Sequence, residues 1–434
     1  MPPDADFVRG DATGLEVPAH PDALRDKPEE RLTRLFRAYG SLAPDNRIIR
    51  VTRFAPFAGG NSGLKLVVSV EYEKQEPGLH TDLFAKFSRD FSDPFRDRRR
   101  YELDGEIRLA ELSRHPAFPV TVAKPYFADF NHETGTGVLI TERIAYGEGS
   151  IEPLHRKCMD RLLADPLEYY RATVSALARL AAAQKQGSLS PQLELLFPFD
   201  AAAAAADIAI PWDAGAMREK VAAWAGFVAD CPQLFPANIA AAAFFERLER
   251  DALRFLEHET QVRRFLHADP DLIALCHWNS NIDNAWFWRD AAGALHCGLL
   301  DWGMVRQMNL AYGLWGGLSA SDGSFLAGHL DGLLGHFAAQ LAAHGGPNIE
   351  PDDLGLHFDL SLALLGLALM MDTPALVTSR LPAIRDAAGP HDPLLAQEKV
   401  VHGFLHVSTN FLDLWERRNL GASLDRMLAR TQPR

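Results

Sequence analysis

Cysteine is scarce in this chain: Cys158, Cys231, Cys276 and Cys297 are the only four among 434 residues. Thiols so few and so scattered exclude a disulfide framework and predict reduced, buried side chains. Cys276-His277 and His296-Cys297 form a mirrored pair, but neighbours on a strand point to opposite faces and do not converge on one zinc ion. A basic face is also missing. The net charge is -13, and no Lys/Arg run is flanked by stacking aromatics, which argues against a nucleic-acid partner. Long apolar runs are missing too: the longest, residues 360–371 with Ser361 as its one polar break, is too short to span a bilayer. Met-Pro-Pro-Asp-Ala-Asp at the N-terminus lacks a cationic and then apolar leader. The expectation is a cytoplasmic protein with no membrane partner. The acidic excess argues only weakly for a cationic substrate, because residues 1–30 alone hold eight acidic and three basic side chains.

What is present suits two unequal lobes. Residues 1–45 read as a helical leader, with a 3-4 apolar spacing over residues 28–39. Strands dominate residues 50–90, and residues 118–123 and 138–142 read as the last two strands of a five-stranded sheet. Beyond about residue 150 the composition shifts to Ala, Leu and long helical periods. The expected domains are a leader at 1–45, a small lobe at 46–145 and a helical lobe at 146–434. The basic run Arg96-Asp97-Arg98-Arg99-Arg100 reads most simply as a solvated loop.

Five features recur in a fixed order. A turn at Gly59-Gly60-Asn61-Ser62-Gly63 joins two strands, and its backbone amides could cover a phosphate. Lys86 interrupts the apolar strand Leu83-Phe84-Ala85-Lys86-Phe87. Glu106 lies in a segment with apolar residues at 103, 107, 109 and 112. His277-Trp278-Asn279-Ser280-Asn281-Ile282-Asp283-Asn284 follows, and after one hairpin's length comes Leu299-Leu300-Asp301-Trp302-Gly303. Each feature also has a plainer reading taken alone: an ordinary hairpin at the glycines, an edge-strand lysine, a solvated helix face, turn formers at Asn284 and Asp301.

Together, and in this order, they resemble the aminoglycoside phosphotransferase and choline kinase-like family, including its ecdysteroid-kinase-like branch. The resemblance implies an α+β, protein kinase-like two-lobe fold: a small antiparallel sheet with one helix, and a larger, mainly helical lobe. It implies ATP and Mg²⁺ as cofactors and a small-molecule acceptor. Lys86 would meet the phosphates with Glu106 as its partner, Asn284 and Asp301 would hold the metal, and Glu142 would mark the adenine hinge. His277 would brace the loop backbone.

The chain departs from the family at three positions. Asn279 stands where the loop carries its catalytic Asp, Ala181 where a core helix carries His, and Gly313 where an Asp braces the loop. Asn279 can orient a hydroxyl but cannot take its proton near neutral pH. Asp283 is the nearest spare carboxylate, expected to project away from the metal. Three functions fit these residues: a phosphotransferase acting on a hydroxyl, a pseudokinase that binds nucleotide without turnover, and nucleotidyl transfer on the same scaffold. Trp302, Tyr312, Trp315 and Trp415 could line an acceptor pocket or fill the core.

Overall fold

Apolar and β-branched runs between residues 48 and 142 form five antiparallel strands: β1 (Ile48–Pro56), β2 (Lys65–Tyr72), β3 (Asp82–Phe87), β4 (Pro125–Asn131) and β5 (Thr136–Glu142). Their order across the sheet is β1-β2-β3-β5-β4. The structure, a computed structural model, describes residues 6–57, 59 and 63–431. Gly60, Asn61 and Ser62 of the glycine-rich turn therefore lie outside the described residues.

Two helices cover this sheet. Helix α1 (Pro28–Tyr39) starts on a proline, which needs no amide partner there, and ends at Gly40, whose φ of 80° is open to a residue without a Cβ. It packs on β1 and β4, while α2 (Asp104–Leu112) packs on β4 and β5. Leu32, Leu35 and Phe36 of α1 share one core with Leu66, Val68, Phe87, Tyr126 and Ile140 of the sheet.

The second lobe is built on long helices, among them Pro166–Lys185, Ala242–Ala268, Gly323–Ala343, Pro351–Leu369 and Lys399–Arg418. They enclose a separate core that reaches Leu109 and Leu112 at the end of α2. A small antiparallel sheet with a packed helix, set against a larger and mainly helical lobe, is the protein kinase-like two-lobe α+β fold. Among the described residues no single helix is long and apolar enough to cross a membrane. The apolar run at 360–371 belongs largely to Pro351–Leu369, which is buried along most of its length as the central helix of this lobe.

Three expectations need correction. The first 45 residues are not a helical leader throughout: Phe7–Arg9 and Glu16–Pro18 form a hairpin whose Val8 and Val17 enter the small-lobe core. The fourth sheet strand is Pro125–Asn131 rather than 118–123. Tyr126, Phe127 and Phe130 supply the buried aromatic surface of that strand, while Thr121–Val122 pairs in parallel with Gly298 and Leu299 of the other lobe. The basic run is not simply solvated. Arg96 is 7% exposed, lies over the Phe91 ring and donates to Thr136 Oγ1 at 2.7 Å.

Asp129 on β4 stitches the N-terminal hairpin to the sheet. Its carboxylate accepts from the backbone amides of Ala12 (3.1 Å) and Thr13 (2.9 Å), and it is 1% exposed. Asp129→Ala leaves those amides without an acceptor and is expected to cost ~2–4 kcal/mol, read as a lower urea midpoint at unchanged m-value.

Candidate nucleotide and metal site

The site assembles where the two lobes face each other. From β3, Lys86 Nζ lies 2.8 and 2.9 Å from the two carboxylate oxygens of Glu106. It lies 2.9 Å from Oδ1 of Asp301, a residue of the other lobe. Glu106 reaches the lysine because it sits in the first turn of α2, on the face that also buries Ile107 and Ala110. Burial works against the charge on Lys86, but Glu106 and then Asp301 outweigh it and raise the pKa, so the amine stays protonated. Burial opposes the charge of Asp301 too, yet Lys86 holds its pKa below the ordinary value.

The hairpin Ala285–Arg289/Leu295–Leu299 explains how distant motifs meet. It pairs Ala285 with Leu299, and the amide of Leu300 donates to the carbonyl of Asn284 (2.8 Å). The end of one loop and the start of the next are thereby held side by side. Asp301 then takes a left-handed backbone (φ 60°), a conformation that Asp tolerates better than most residues. His277 clamps the pair from below. Its Nε2–H donates to the carbonyl of Leu300 (2.7 Å) and its Nδ1 accepts the amide of Asn279 (3.2 Å). Full burial lowers its pKa to about 4, so the ring is neutral, and it packs on Trp302 with ring centroids 4.2 Å apart. Its bonds are to backbone, as expected of a brace.

Asn279 occupies the centre of the loop. Its amide nitrogen donates to Asp301 Oδ2 (3.3 Å) and its oxygen accepts from Asn281 (3.1 Å). Asn284 donates its own amide to the carbonyl of Asn279 (2.7 Å), which leaves its side-chain oxygen as the atom suited to a cation. A carboxylate and an amide oxygen are hard donors of the kind Mg²⁺ takes alongside phosphate oxygens. Among the described residues no trio of His, Cys, Asp or Glu is arranged to hold a metal.

Helix Leu310–Leu318 forms the bed of the loop. A Cβ at Gly316 would fall 1.7 Å from the carbonyl oxygen of Trp278, and one at Gly317 2.5 Å from Ser280 Oγ. At Gly313 it would meet Cys276 Cβ at 2.8 Å, so a larger side chain has no room here. Ala181, likewise, is 1% exposed within the large core. Gly313 and Ala181 thus both lie in close-packed surroundings.

Other expected residues fall at its edges. Gly63 (φ 55°) lies where a Cβ would be 1.8 Å from the carbonyl oxygen of Phe87, and it lines a narrow cleft with Lys86 and Glu106. Gly59 faces the Phe57 ring. Asp283 makes no bond to the cluster: burial raises its pKa, and its Oδ1 is enclosed without a hydrogen-bond partner. Glu142 stands apart at the end of β5. Its carboxylate accepts the amide of Lys124 (2.8 Å) and its own amide donates to the Lys124 carbonyl (2.9 Å). Trp302, Trp315 and Trp415 are core residues at 4% exposure or less, and Tyr312 is half-buried beside Trp278. Sequence reasoning missed Gly316, Gly317 and Lys65. Lys65 opens the apolar strand Lys65-Leu66-Val67-Val68, the same signal that marked Lys86.

No family model and no curated protein matches the sequence. Among solved structures, the chain is similar to a choline/ethanolamine kinase family protein from Mesorhizobium loti at 14% identity and a TM-score of 0.40, over 89% of this chain and 99% of that one. A choline kinase from Cryptosporidium parvum is 8% identical with a TM-score of 0.42, over 92% and 95% of the two chains. A spectinomycin phosphotransferase in complex with ADP and spectinomycin is 11% identical with a TM-score of 0.40, over 89% and 99%. Overlaps this loose assign no substrate.

The glycine bed makes a direct prediction. Gly316→Ala drives a methyl into the Trp278 carbonyl and is expected to cost ~1–3 kcal/mol or more, whereas Gly328→Ala, with nothing within 4 Å, should be neutral or stabilising. Equal melting temperatures for the two variants would show that the helix does not support the loop as described.

Proposed function

We propose that the protein is an ATP- and Mg²⁺-dependent phosphotransferase acting on a hydroxyl of a small molecule. The observation that carries this reading is the Lys86 ion cluster: one buried cation shared by a carboxylate of its own lobe and Asp301 of the other. Phosphoryl transfer is catalysed chiefly by positioning and by charge stabilisation, and these residues supply both. Lys86 would meet the phosphates, Glu106 would orient Lys86, and Asp301 with Asn284 would hold Mg²⁺. The metal, when bound, neutralises charge on the phosphates.

Asn279 would orient the acceptor hydroxyl and the Asp301 carboxylate without acting as a base. Neither end of its amide can take a proton near neutral pH, so the contribution of general-base catalysis, ~10² to 10⁴ in rate, is absent. A second reading rests on the same side chain: both ends of the Asn279 amide are engaged within the protein, as suits a nucleotide-binding module without turnover.

Asn279→Asp separates the two. ATP consumption is to be measured for parent and variant over amino sugars, choline-like amines, sugars and sterol-like alcohols. The phosphotransferase reading expects turnover in the parent and a rise of ~10²-fold or more in the variant, with ATP affinity nearly unchanged when Mg²⁺ is present. An absence of turnover in both proteins with every acceptor, despite ATP binding, favours the binding module.

A further inference from the structure

Lys65 is a second buried lysine on the nucleotide-facing side of the small lobe. It is the first residue of β2, directly opposite Lys86 in the antiparallel register of β2 and β3. Residues so paired project from the same face of a sheet with Cβ atoms about 4.5–5.5 Å apart. That face is the one from which Lys86 reaches Asp301. Lys65 is 8% exposed, and its charge is felt by Lys86, Asp301, Glu106 and Glu102.

Two amines share a space with the carboxylates of Glu106 and Asp301, and Lys86 is hydrogen-bonded to both of those carboxylates. Burial and then the neighbouring Lys86 lower the pKa of Lys65, while the surrounding carboxylates favour its charge. Once Mg²⁺ engages Asp301, two amines face the Glu106 carboxylate, and a phosphate bridging the lysines answers the excess positive charge. The glycine turn that could cover phosphates ends at Gly63, two residues before Lys65. We propose that Lys65 and Lys86 together form a two-lysine clamp on the polyphosphate of the bound nucleotide, with Lys65 as a phosphate-binding residue in its own right.

This inference rests on the nucleotide-binding reading above, and the test separates the two. Dissociation constants for ATP, ADP and adenosine, each with Mg²⁺, are to be measured for the parent, Lys65→Met and Lys65→Arg, together with melting temperatures without nucleotide. The clamp predicts that Lys65→Met weakens ATP and ADP by tenfold or more while adenosine changes less than twofold. Lys65→Arg, which keeps the cation, should recover most of the ATP affinity. Lys65→Gln supplies the same comparison should Lys65→Met melt below the assay temperature. A parent that binds ATP with Lys65 variants that bind it equally well overturns the clamp and leaves the nucleotide reading standing. Equal weakening of ATP and adenosine also overturns it, since that marks a structural lysine. A parent that binds neither ATP nor ADP overturns both.

Discussion

The ion cluster at Lys86 is the constraint around which the rest of the site is arranged. A buried amine is costly unless paired, and here its partners come from two lobes with separate cores. Lys86 is fixed in β3 by its register with β2 and β5, Glu106 by the packing of α2 against that sheet, and Asp301 by the hairpin Ala285–Arg289/Leu295–Leu299. A shift of any one element would leave a buried charge unmatched. The parallel pairing of Thr121–Val122 with Gly298 and Leu299 gives the lobes a second tie, two residues from Asp301.

Below the cluster, apolar packing and backbone hydrogen bonds do the positioning. His277, neutral and fully buried, holds the two loops together by bonding to the backbone of each. The glycine face of Leu310–Leu318 lets a helix approach the loop far more closely than side chains allow. At Gly313 the same closeness holds, against Cys276. Of Asn279, Ala181 and Gly313, Asn279 alone lies within the polar network of the site. There its amide does something a carboxylate would not, donating to Asp301 rather than repelling it.

The parts of this arrangement legible in the sequence are those where one residue breaks a pattern. Lys86 interrupts an apolar strand, Glu106 sits in a helical period, and the loop around Asn284 and Asp301 has fixed spacing, so their placement follows from local signals. Tertiary contacts were less legible. Thr121 and Val122 are β-branched and read as a strand of the small sheet, but their partner lies 177 positions further along the chain. The N-terminal hairpin is made of short strands with no periodic signal, held by Val8 and Val17 in the core and by bonds to Asp129, Phe130 and Asn131 of β4. Lys65 carried the same sequence signal as Lys86; only the strand register shows that the two share a face.

The account stands on the cluster being a nucleotide and metal site rather than an interlobe brace, and calorimetric titration of ATP at increasing Mg²⁺ concentration, on the parent and on Asp301→Ala, tests this most directly. The expected result is ATP affinity that rises with Mg²⁺ and saturates in the parent, with that dependence lost in Asp301→Ala. ATP binding that is indifferent to Mg²⁺ in the parent, or equally dependent on it in the variant, would contradict the account.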